Sequence, residues 1–240
     1  MTASTPLEPE LLEKLQRVST DTITTVLMRP HGMRTRAIRN IRPVNPQRCR
    51  FIGPAVTLRF VPLREDHAAT ASAVSPGGRL HGKLDTLAPG SVLVMDMGGD
   101  DTSGAIGDVI VARLIALGVA GVVADGGMRD VGVISEMNLP VWSRAAAPPP
   151  SPRSLMAVGF QEVIGCGGVM VEPNDIIVAD SSGVVVIPRA LARDVADHGV
   201  EHEDVEVWIK AQIERGAPLA GLYPPTDDVM AKWRAATGRR

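Results

Sequence analysis

The segment from residue 91 to residue 142 constrains the fold most, because its hydrophobic pattern changes period several times. Ser91–Met97 is predicted to be a strand that ends in a Gly- and Asp-rich loop. Asp108–Leu117 has the apolar spacing of a helix, and Val119–Ala124 is the continuous apolar run of a strand buried on both faces. A short helix and a strand at Leu139–Trp142 follow. This order predicts parallel βαβ units and an α/β fold.

The rest of the chain supplies helices at both ends and more strands between them. Pro148-Pro149-Pro150 places an exposed loop at Ala145–Pro152, and a candidate helix at 66–73 is weak. No linker divides the sequence, so we expect a single domain over residues 1–240, with a core at about 20–190 and a helical extension at about 190–240. The other expected elements are helices at 7–18, 20–28, 190–214 and near the end as far as Thr237, and strands at 51–61, 169–171, 176–179 and 184–187.

A short internal repeat links two of the predicted strands. Pro89–Asp96 matches Pro173–Asp180, and each is a tight turn followed by an apolar run that ends at an acid. Gly90 and Asn174 occupy the same place in the two turns, and both residue types tolerate positive φ. The repeat predicts two similar turn–strand units within one domain.

Composition excludes several classes of protein. Of the 240 residues, 45% are hydrophobic and 22% are charged, with a net charge of −2 and no dense basic run before the terminal Arg239-Arg240, which argues against a nucleic-acid partner. No apolar run is long enough to span a bilayer, and the polar N-terminus lacks a signal peptide, so we expect no membrane association and a cytoplasmic location. Cys49 and Cys166 are too few and too far apart for a disulfide framework.

Two loops carry the residues that could perform chemistry. Residues 98–108 and 125–130 each follow a predicted strand and precede a predicted helix. In open α/β sheets ligands bind at the carboxyl ends of the strands, so neighbouring strands would bring both loops to one crevice. Free backbone N–H groups at helix N-termini attract anions there.

The residue types in these loops suit a small oxo acid and a hard cation. Gly104 and Gly107 would let a ligand approach the backbone, and Arg129 offers a planar fork for a carboxylate. Asp108 and Asp130 are oxygen ligands of the kind that Mg²⁺ or Mn²⁺ prefers. For either acid alone, helix capping is the favoured interpretation, with Arg129 in a structural ion pair. The combination of acids, arginine and glycines favours a functional site.

The same residues resemble a known family. Gly107-Asp108, then twenty residues, then Arg129-Asp130 is similar to the signature of class II 4-hydroxy-4-methyl-2-oxoglutarate aldolases. These enzymes belong to the RraA-like family, named for a regulator of ribonuclease E activity. The blocks that carry the resemblance are GAIGDVIVARLIALGVAGVVADGGMRD and PNDIIVADSSGVVVIP, within a match of roughly residues 20–190.

The resemblance implies a fold, an assembly and a role for each residue of the motif. The fold would be a swivelling β/β/α three-layer domain, assembled as trimers or hexamers with the active site at a subunit interface. Asp130 would bind Mg²⁺ or Mn²⁺, Arg129 would hold pyruvate and its enolate, and Asp108 would polarise a metal-bound water. The backbone N–H groups of Val109 and Ile110 would bind the substrate carboxylate.

The implied activity is cleavage of a 4-hydroxy-2-oxo acid to pyruvate, with oxaloacetate decarboxylation as a related reaction through the same enolate. A neighbouring subunit would donate a glutamate, for which Glu203 and Glu206 are the candidates from their place in the sequence. His198 and His202 lie four residues apart on a predicted helix and could share a metal, although a solvated helix face is the favoured interpretation.

Two alternatives remain open. The chain could be a non-catalytic regulator of ribonuclease E that acts by protein–protein contact, or a different enzyme on the same scaffold, such as a hydratase or a decarboxylase. The presence of Asp108, Arg129 and Asp130 together favours an enzyme.

Overall fold

The computed structural model describes residues 5–66 and 80–239. The strands are β1 Ala37–Ile38, β2 Arg42–Pro43, β3 Phe51–Pro62, β4 Val92–Asp96, β5 Gly121–Ala124, β6 Gly127–Met128, β7 Val141–Ser143, β8 Ala145–Ala146, β9 Leu155–Phe160, β10 Ile164–Cys166, β11 Val169–Val171, β12 Ile176–Asp180 and β13 Gly183–Ile187. The helices are α1 Pro9–Gln16, α2 Thr20–Met28, α3 Leu80–Leu84, α4 Asp108–Ala116, α5 Val131–Glu136, α6 Ala192–Glu214 and α7 Asp227–Thr237.

A mixed sheet forms the centre of the fold. Among the described residues it has nine strands, in the order β1-β13-β12-β3-β4-β5-β7-β2, with β9 also paired to β3. The neighbours β3, β4, β5 and β7 run parallel, as the strand–helix alternation predicts. The strands β12 and β9 add antiparallel to β3. The α/β fold with N- and C-terminal helices is therefore confirmed.

Side chains that alternate along the central strands pack into two different layers. Leu93 and Met95 belong to the same buried cluster as Val111 and Leu114 of α4, whereas Val94 belongs to the cluster that includes the hairpin β10–β11. A second group of helices, α1, α2 and α6, covers the β12–β13 end of the sheet. Helices, central sheet and β hairpin thus form three layers.

The internal repeat builds two matching turns on either side of β3. Gly90 and Asn174 both have positive φ, +75° and +72°, as their place in the repeat predicts. The strands that follow these turns, β4 and β12, are the two neighbours of β3. A Cβ on Gly53 of β3 would lie only 2.1 Å from the carbonyl oxygen of Gly90, so the close approach of the turn requires glycine there.

The N-terminal helices are placed by a polar cap. The Ser19 hydroxyl accepts the backbone N–H of Thr22 at 3.1 Å and starts α2, as predicted. The Thr20 backbone and hydroxyl both donate to buried Asp180 at 2.7 Å, which ties the start of α2 to the end of β12. None of the described helices combines the length and the apolar character needed to cross a bilayer.

Two features of the structure differ from the sequence-based expectations. Strands β9 and β10 are not predicted, although β9 lies in the central sheet. The exposed-loop prediction for Ala145–Pro152 is wrong in part, because β8 pairs with β6 and Ala147 is buried. The weak helix at 66–73 lies almost entirely outside the described residues, as does His67.

Candidate active site

The two loops with the candidate residues meet at the carboxyl ends of β4 and β5. The backbone N–H of Gly127 donates to the Asp100 carbonyl at 2.9 Å, and the N–H of Ala105 donates to the Gly127 carbonyl at 3.1 Å. The N–H of Arg129 donates to the Ile106 carbonyl at 3.1 Å. The structure therefore brings the two loops together along their backbones, as parallel neighbouring strands require.

Two glycines make this contact possible. An ideal Cβ on Gly104 would lie 2.5 Å from Cγ of Arg129, and one on Gly107 would lie 2.3 Å from Oδ2 of Asp130. Neither glycine has a positive φ, so the reason for glycine here is space and not backbone conformation. Gly104 and Gly107 thus let the Arg129 and Asp130 side chains lie directly on the first loop.

Arg129 has an unpaired donor in a buried position. In the part of the chain that the structure describes, its Nε is buried and has no hydrogen-bond partner, a property shared only with Nε of Arg36. A buried donor without a partner costs about 1–3 kcal/mol. The structural ion pair considered for Arg129 is not seen among the described contacts, and the side chain lines a cavity. An anionic ligand in that cavity would give the Arg129 guanidinium a partner.

The two acids lie close to each other at the start of α4. Oδ2 of Asp130 accepts the backbone N–H of Asp108 at a long 3.4 Å, and Oδ1 of Asp108 accepts the N–H of Val109 at 2.8 Å. Asp130 has φ +52° and ψ +31°, and its side chain does not cap its own helix. A left-handed aspartate costs free energy and is found where its side chain has a specific task. Local capping therefore explains Asp108 better than Asp130.

The donor set fits a hydrated magnesium ion and not a protein cage. Among the described residues, no group of three or more His, Cys, Asp or Glu side chains could hold a metal ion. Mg²⁺ commonly keeps several waters and is bound through one or two carboxylates together with a substrate oxygen. Asp130, with Asp108 beside it, offers that smaller set.

A cavity of about 430 Å³ adjoins these residues. That volume is in the range of small-molecule pockets, roughly 300–1,000 Å³. Gly104, Gly107 and Arg129 contribute to its lining, together with the side chain of Ile110. The remaining lining comes from β3, β9, α3 and the proline segment at 150–152.

The proline segment is part of the site, although the sequence-based expectation for it was only an exposed loop. The N–H of Gly104 donates to the Pro149 carbonyl at 2.8 Å, and the N–H of Ala147 donates to the Met128 carbonyl at 2.8 Å. These bonds attach the segment to both loops of the site. The signal that could have indicated this is the run of prolines, because a rigid extended segment suits a cavity wall.

Two further aspartates that sequence reasoning missed hold the loops in place. Buried Asp125 accepts the N–H of Met97 at 2.6 Å and the N–H of Gly167 at 3.0 Å. Burial raises the pKa of Asp125, and these backbone donors oppose the rise only in part. Asp125 thereby connects the ends of β4 and β5 to the hairpin β10–β11. The sequence signal that could have indicated Asp125 is its place at the end of a buried strand.

Asp100 fixes the first loop to the end of the proline segment. Its carboxylate accepts the backbone and hydroxyl of Thr102 and the hydroxyl of Ser154 at 2.6–2.8 Å. Burial acts to raise the pKa of Asp100, but the hydrogen bonds from Thr102 and Ser154 outweigh it and lower the pKa.

The backbone at the start of α4 carries the other predicted ligand groups. Val109 is 79% exposed, and its N–H is bonded to the Asp108 carboxylate. Ile110 is half-buried and lines the cavity with its side chain. Substrate binding by these two N–H groups stays a prediction.

Glu203 and Glu206 lie on α6 and do not line this cavity. Glu203 accepts the backbone N–H of Ser19 at 2.9 Å and its hydroxyl at 2.8 Å. Partial burial opposes ionisation, but donors from Ser19 and Thr22 outweigh it and lower the pKa of Glu203. Glu206 lies 3.5 Å from both the Tyr223 hydroxyl and Nε2 of His202. Donation of either glutamate to a neighbouring subunit stays a prediction.

Comparison with known proteins gives a family and a fold. The family model RraA-like (Aldolase/RraA) matches residues 10–186. A relative from Halalkalibacterium halodurans, provisionally named a 4-hydroxy-4-methyl-2-oxoglutarate aldolase, is 33% identical over 65% of this chain and 67% of its own length. A solved structure with the same fold is RraAS2 from Streptomyces coelicolor, described as an unusual member of the RNase ES inhibitor RraA protein family. Its sequence is 32% identical and its TM-score is 0.77, and the match covers 85% of this chain and 98% of that one.

A second solved structure extends the likeness in fold to nearly the whole chain. It is an uncharacterized protein from Pseudomonas syringae pv. tomato, 23% identical with a TM-score of 0.78. The superposition covers 97% of this chain and 98% of that protein. At that identity the likeness concerns the fold alone, including its terminal helices.

Proposed function

Because this chain belongs to the RraA-like family, we propose that it is a divalent-metal-dependent lyase that cleaves a carbon–carbon bond of a 4-hydroxy-2-oxo acid and releases pyruvate. The observation that carries the proposal is Arg129, which lines a cavity close to two carboxylates and whose buried Nε has no partner among the described residues. The provisional aldolase name of the Halalkalibacterium halodurans relative supports the same reaction class. Oxaloacetate decarboxylation is proposed as a second reaction of the same site.

Arg129 binds and orients the substrate in this proposal. Its planar guanidinium can make two parallel hydrogen bonds to a carboxylate or to neighbouring oxygens of a 2-oxo acid. The fixed positive charge also stabilises negative charge that develops on the 2-oxo oxygen as the bond breaks. The contact of its side chain with Gly104 sets its position before the substrate binds.

Asp108 accepts the proton of the 4-hydroxyl group. Its carboxylate is half-exposed at the start of α4, so it can exchange that proton with solvent. Asp130 would hold Mg²⁺ or Mn²⁺, and Asp108 would contact a water of the ion's hydration shell. When bound, such an ion supplies Lewis-acid stabilisation of negative charge on the 2-oxo acid.

The proposed assembly is a trimer or hexamer with the site at a subunit interface. Val109, beside the acids, is 79% exposed, and Val133 on α5 is 55% exposed. A subunit interface at this site would cover these two side chains.

The substitution Asp108→Asn tests the role of the base. An asparagine oxygen can still accept the N–H of Val109, so the start of α4 should be preserved while the carboxylate is lost. We expect pyruvate release from a 4-hydroxy-2-oxo acid to fall by about 10²–10⁴-fold. Oxaloacetate decarboxylation needs no hydroxyl base and should fall much less.

Asp101→Asn is the matched control, because Asp101 is exposed on the same loop as Asp108 and its ion pair among the described residues is with Arg144 at 3.5 Å. This variant should change the rates of both reactions by less than about twofold relative to wild type, as expected for a surface ion pair. Equal losses of cleavage and decarboxylation in Asp108→Asn would remove Asp108 from the proposed role.

A second candidate function is regulation of a ribonuclease by direct contact. It is favoured by the 32% identity to RraAS2, which is described within an RNase ES inhibitor family. Ribonuclease E can be captured on the immobilised chain, in parallel with a pyruvate-release assay on the same preparation. Capture without pyruvate release would favour the regulator, and pyruvate release without capture would favour the enzyme.

A further inference from the structure

Helix α6 carries two histidines that line a second cavity. His198 and His202 lie four residues apart, which places them on one face of the helix. Both line a cavity of about 180 Å³ between α6, the end of α2 and Met230 of α7, and it shares no described lining residue with the cavity beside Arg129. The His202 side chain is 19% exposed and that of His198 is 56% exposed. The interpretation as a solvated helix face therefore holds for His198 but not for His202.

The contacts of each ring determine which of its nitrogens is free. Nδ1 of His198 lies 3.0 Å from the carbonyl oxygen of Asp194, which can only accept a hydrogen bond, so Nδ1 carries the proton. Nε2 of His202 lies 3.5 Å from the Glu206 carboxylate, which favours the proton on Nε2. Each neutral ring is left with a lone pair on its other nitrogen. A metal-binding histidine almost always donates its second N–H to a carbonyl or carboxylate in this way.

Acidic side chains surround the pair of histidines. The carboxylates of Asp194 and Glu206 lie 3.3 Å and 3.5 Å from the two rings. Glu201, which also pairs with Arg234 at 3.1 Å, lines the same cavity. Arg29 is the only arginine or lysine in the described lining, and it is exposed, so its side chain can turn towards solvent. The local charge therefore favours a cation over an anion.

We propose that His198 and His202 form a site for a divalent transition-metal ion such as Zn²⁺, separate from the magnesium site proposed at Asp130. Imidazole nitrogen suits zinc, copper and nickel ions, whereas Mg²⁺ takes oxygen ligands. Two histidines at this spacing on one helix face can bind the same zinc ion. Among the described residues no third His, Cys, Asp or Glu side chain is placed to join them, so water completes the coordination. This site does not depend on the proposed lyase function.

A bound ion would join two successive turns of α6. The rings reach it by rotation about χ2, a torsion with a broad energy profile. An ion that binds the folded chain in preference to the unfolded chain stabilises the fold by mass action. We therefore expect Zn²⁺ to raise the Tm through the two histidines.

Isothermal titration calorimetry with Zn²⁺ tests the site. The parent chain is Asp130→Asn, so that an ion at the candidate active site does not contribute, and His198→Gln or His202→Gln is added to it. We expect the parent to bind Zn²⁺ and each added substitution to lower the affinity about tenfold or more, because loss of even an outer-shell partner costs roughly 10–100-fold. No binding by the parent, or the same affinity without either histidine, would overturn the proposal.

His31→Gln in the same parent is the matched control. The His31 side chain is 20% exposed and contacts Asp194, but it does not line the cavity, so the Zn²⁺ affinity should stay unchanged. An equal loss of affinity in all three histidine variants would overturn the proposal.

Stability gives a second readout that does not depend on how well His202→Gln folds. His198 is exposed, so His198→Gln should match the parent in urea unfolding with EDTA present. Zn²⁺ should raise the Tm of the parent and not that of His198→Gln. A rise of the same size in both chains would contradict the proposed site.

Discussion

At the scale of single residues, the candidate site depends on two side chains that pack directly against glycines. Arg129 lies against Gly104, and Asp130 lies against Gly107, at distances that leave no space for a Cβ. The motif could be found from sequence, because its residue types indicate anion and metal binding. Sequence alone could not predict the unpaired Nε of Arg129 or the left-handed backbone of Asp130, because both depend on contacts between distant segments.

Replacement of Arg129 by lysine tests the need for a planar fork. A lysine keeps the charge but offers one point of attachment, so we expect kcat/KM for pyruvate release to fall by well over tenfold, about 1.4 kcal/mol or more. Arg113→Lys is the control, because Arg113 is exposed on α4 and pairs only with Asp85 among the described contacts. Comparable activity of the two variants would show that the fork is not needed.

Gly107→Ala tests whether the contact with Asp130 matters. The backbone of Gly107 suits any residue, with φ −125°, but its Cβ would lie 2.3 Å from Oδ2 of Asp130 and must displace it. We expect kcat/KM to fall about tenfold or more while the chain stays folded. Gly132→Ala on α5 meets nothing within 4 Å and should raise the free energy of unfolding by about 0.4–1 kcal/mol with activity unchanged. Full activity of Gly107→Ala would remove Asp130 from the site.

At the scale of elements, hydrophobic periodicity and capping residues predicted several helices and strands. Segments without a regular pattern were predicted poorly. The parallel strands, α4 and the cap at Ser19 follow from hydrophobic period and capping residues. The strand β9 was missed because its sequence, LMAVGF, has no polar alternation and lies between turns. The segment at 145–152 looked exposed because prolines dominate it, yet its Pro149 carbonyl and its Ala147 N–H are hydrogen-bonded to the site loops.

The contact between α6 and the start of α2 predicts an acid-dependent loss of stability. Ser19 and Thr22 lower the pKa of Glu203 below its ordinary value of 4.5, despite the opposing effect of burial. A depressed folded-state pKa stabilises the fold above the unfolded-state value, and that contribution is lost as pH falls through the folded-state pKa. Glu203→Gln should therefore lower the free energy of unfolding at neutral pH, and the difference from wild type should shrink at acid pH.

Urea unfolding at several pH values measures this difference, with Glu214→Gln at the exposed end of the same helix as control. A difference that stays constant with pH would rule out the ionised contact. Pyruvate release by Glu203→Gln, measured where the variant is fully folded, separates this role from the predicted catalytic one. A large loss of kcat there would support donation to a neighbouring subunit's site.

At the scale of the whole molecule, the RraA-like fold extends over the central sheet and its helices, and the match to the family model reaches residue 186. The terminal helices α6 and α7 form their own apolar contacts through Val205, Ile209, Val229 and Trp233.

The most direct test of the central claim is a lactate-dehydrogenase-coupled pyruvate assay over a panel of 4-hydroxy-2-oxo acids, before and after treatment with EDTA. We expect pyruvate release that disappears with EDTA and returns when Mg²⁺ or Mn²⁺ is restored, because Asp130 would supply only part of a hydrated ion's ligands. Pyruvate release that persists unchanged in EDTA, or none from any compound with metal present, would contradict it.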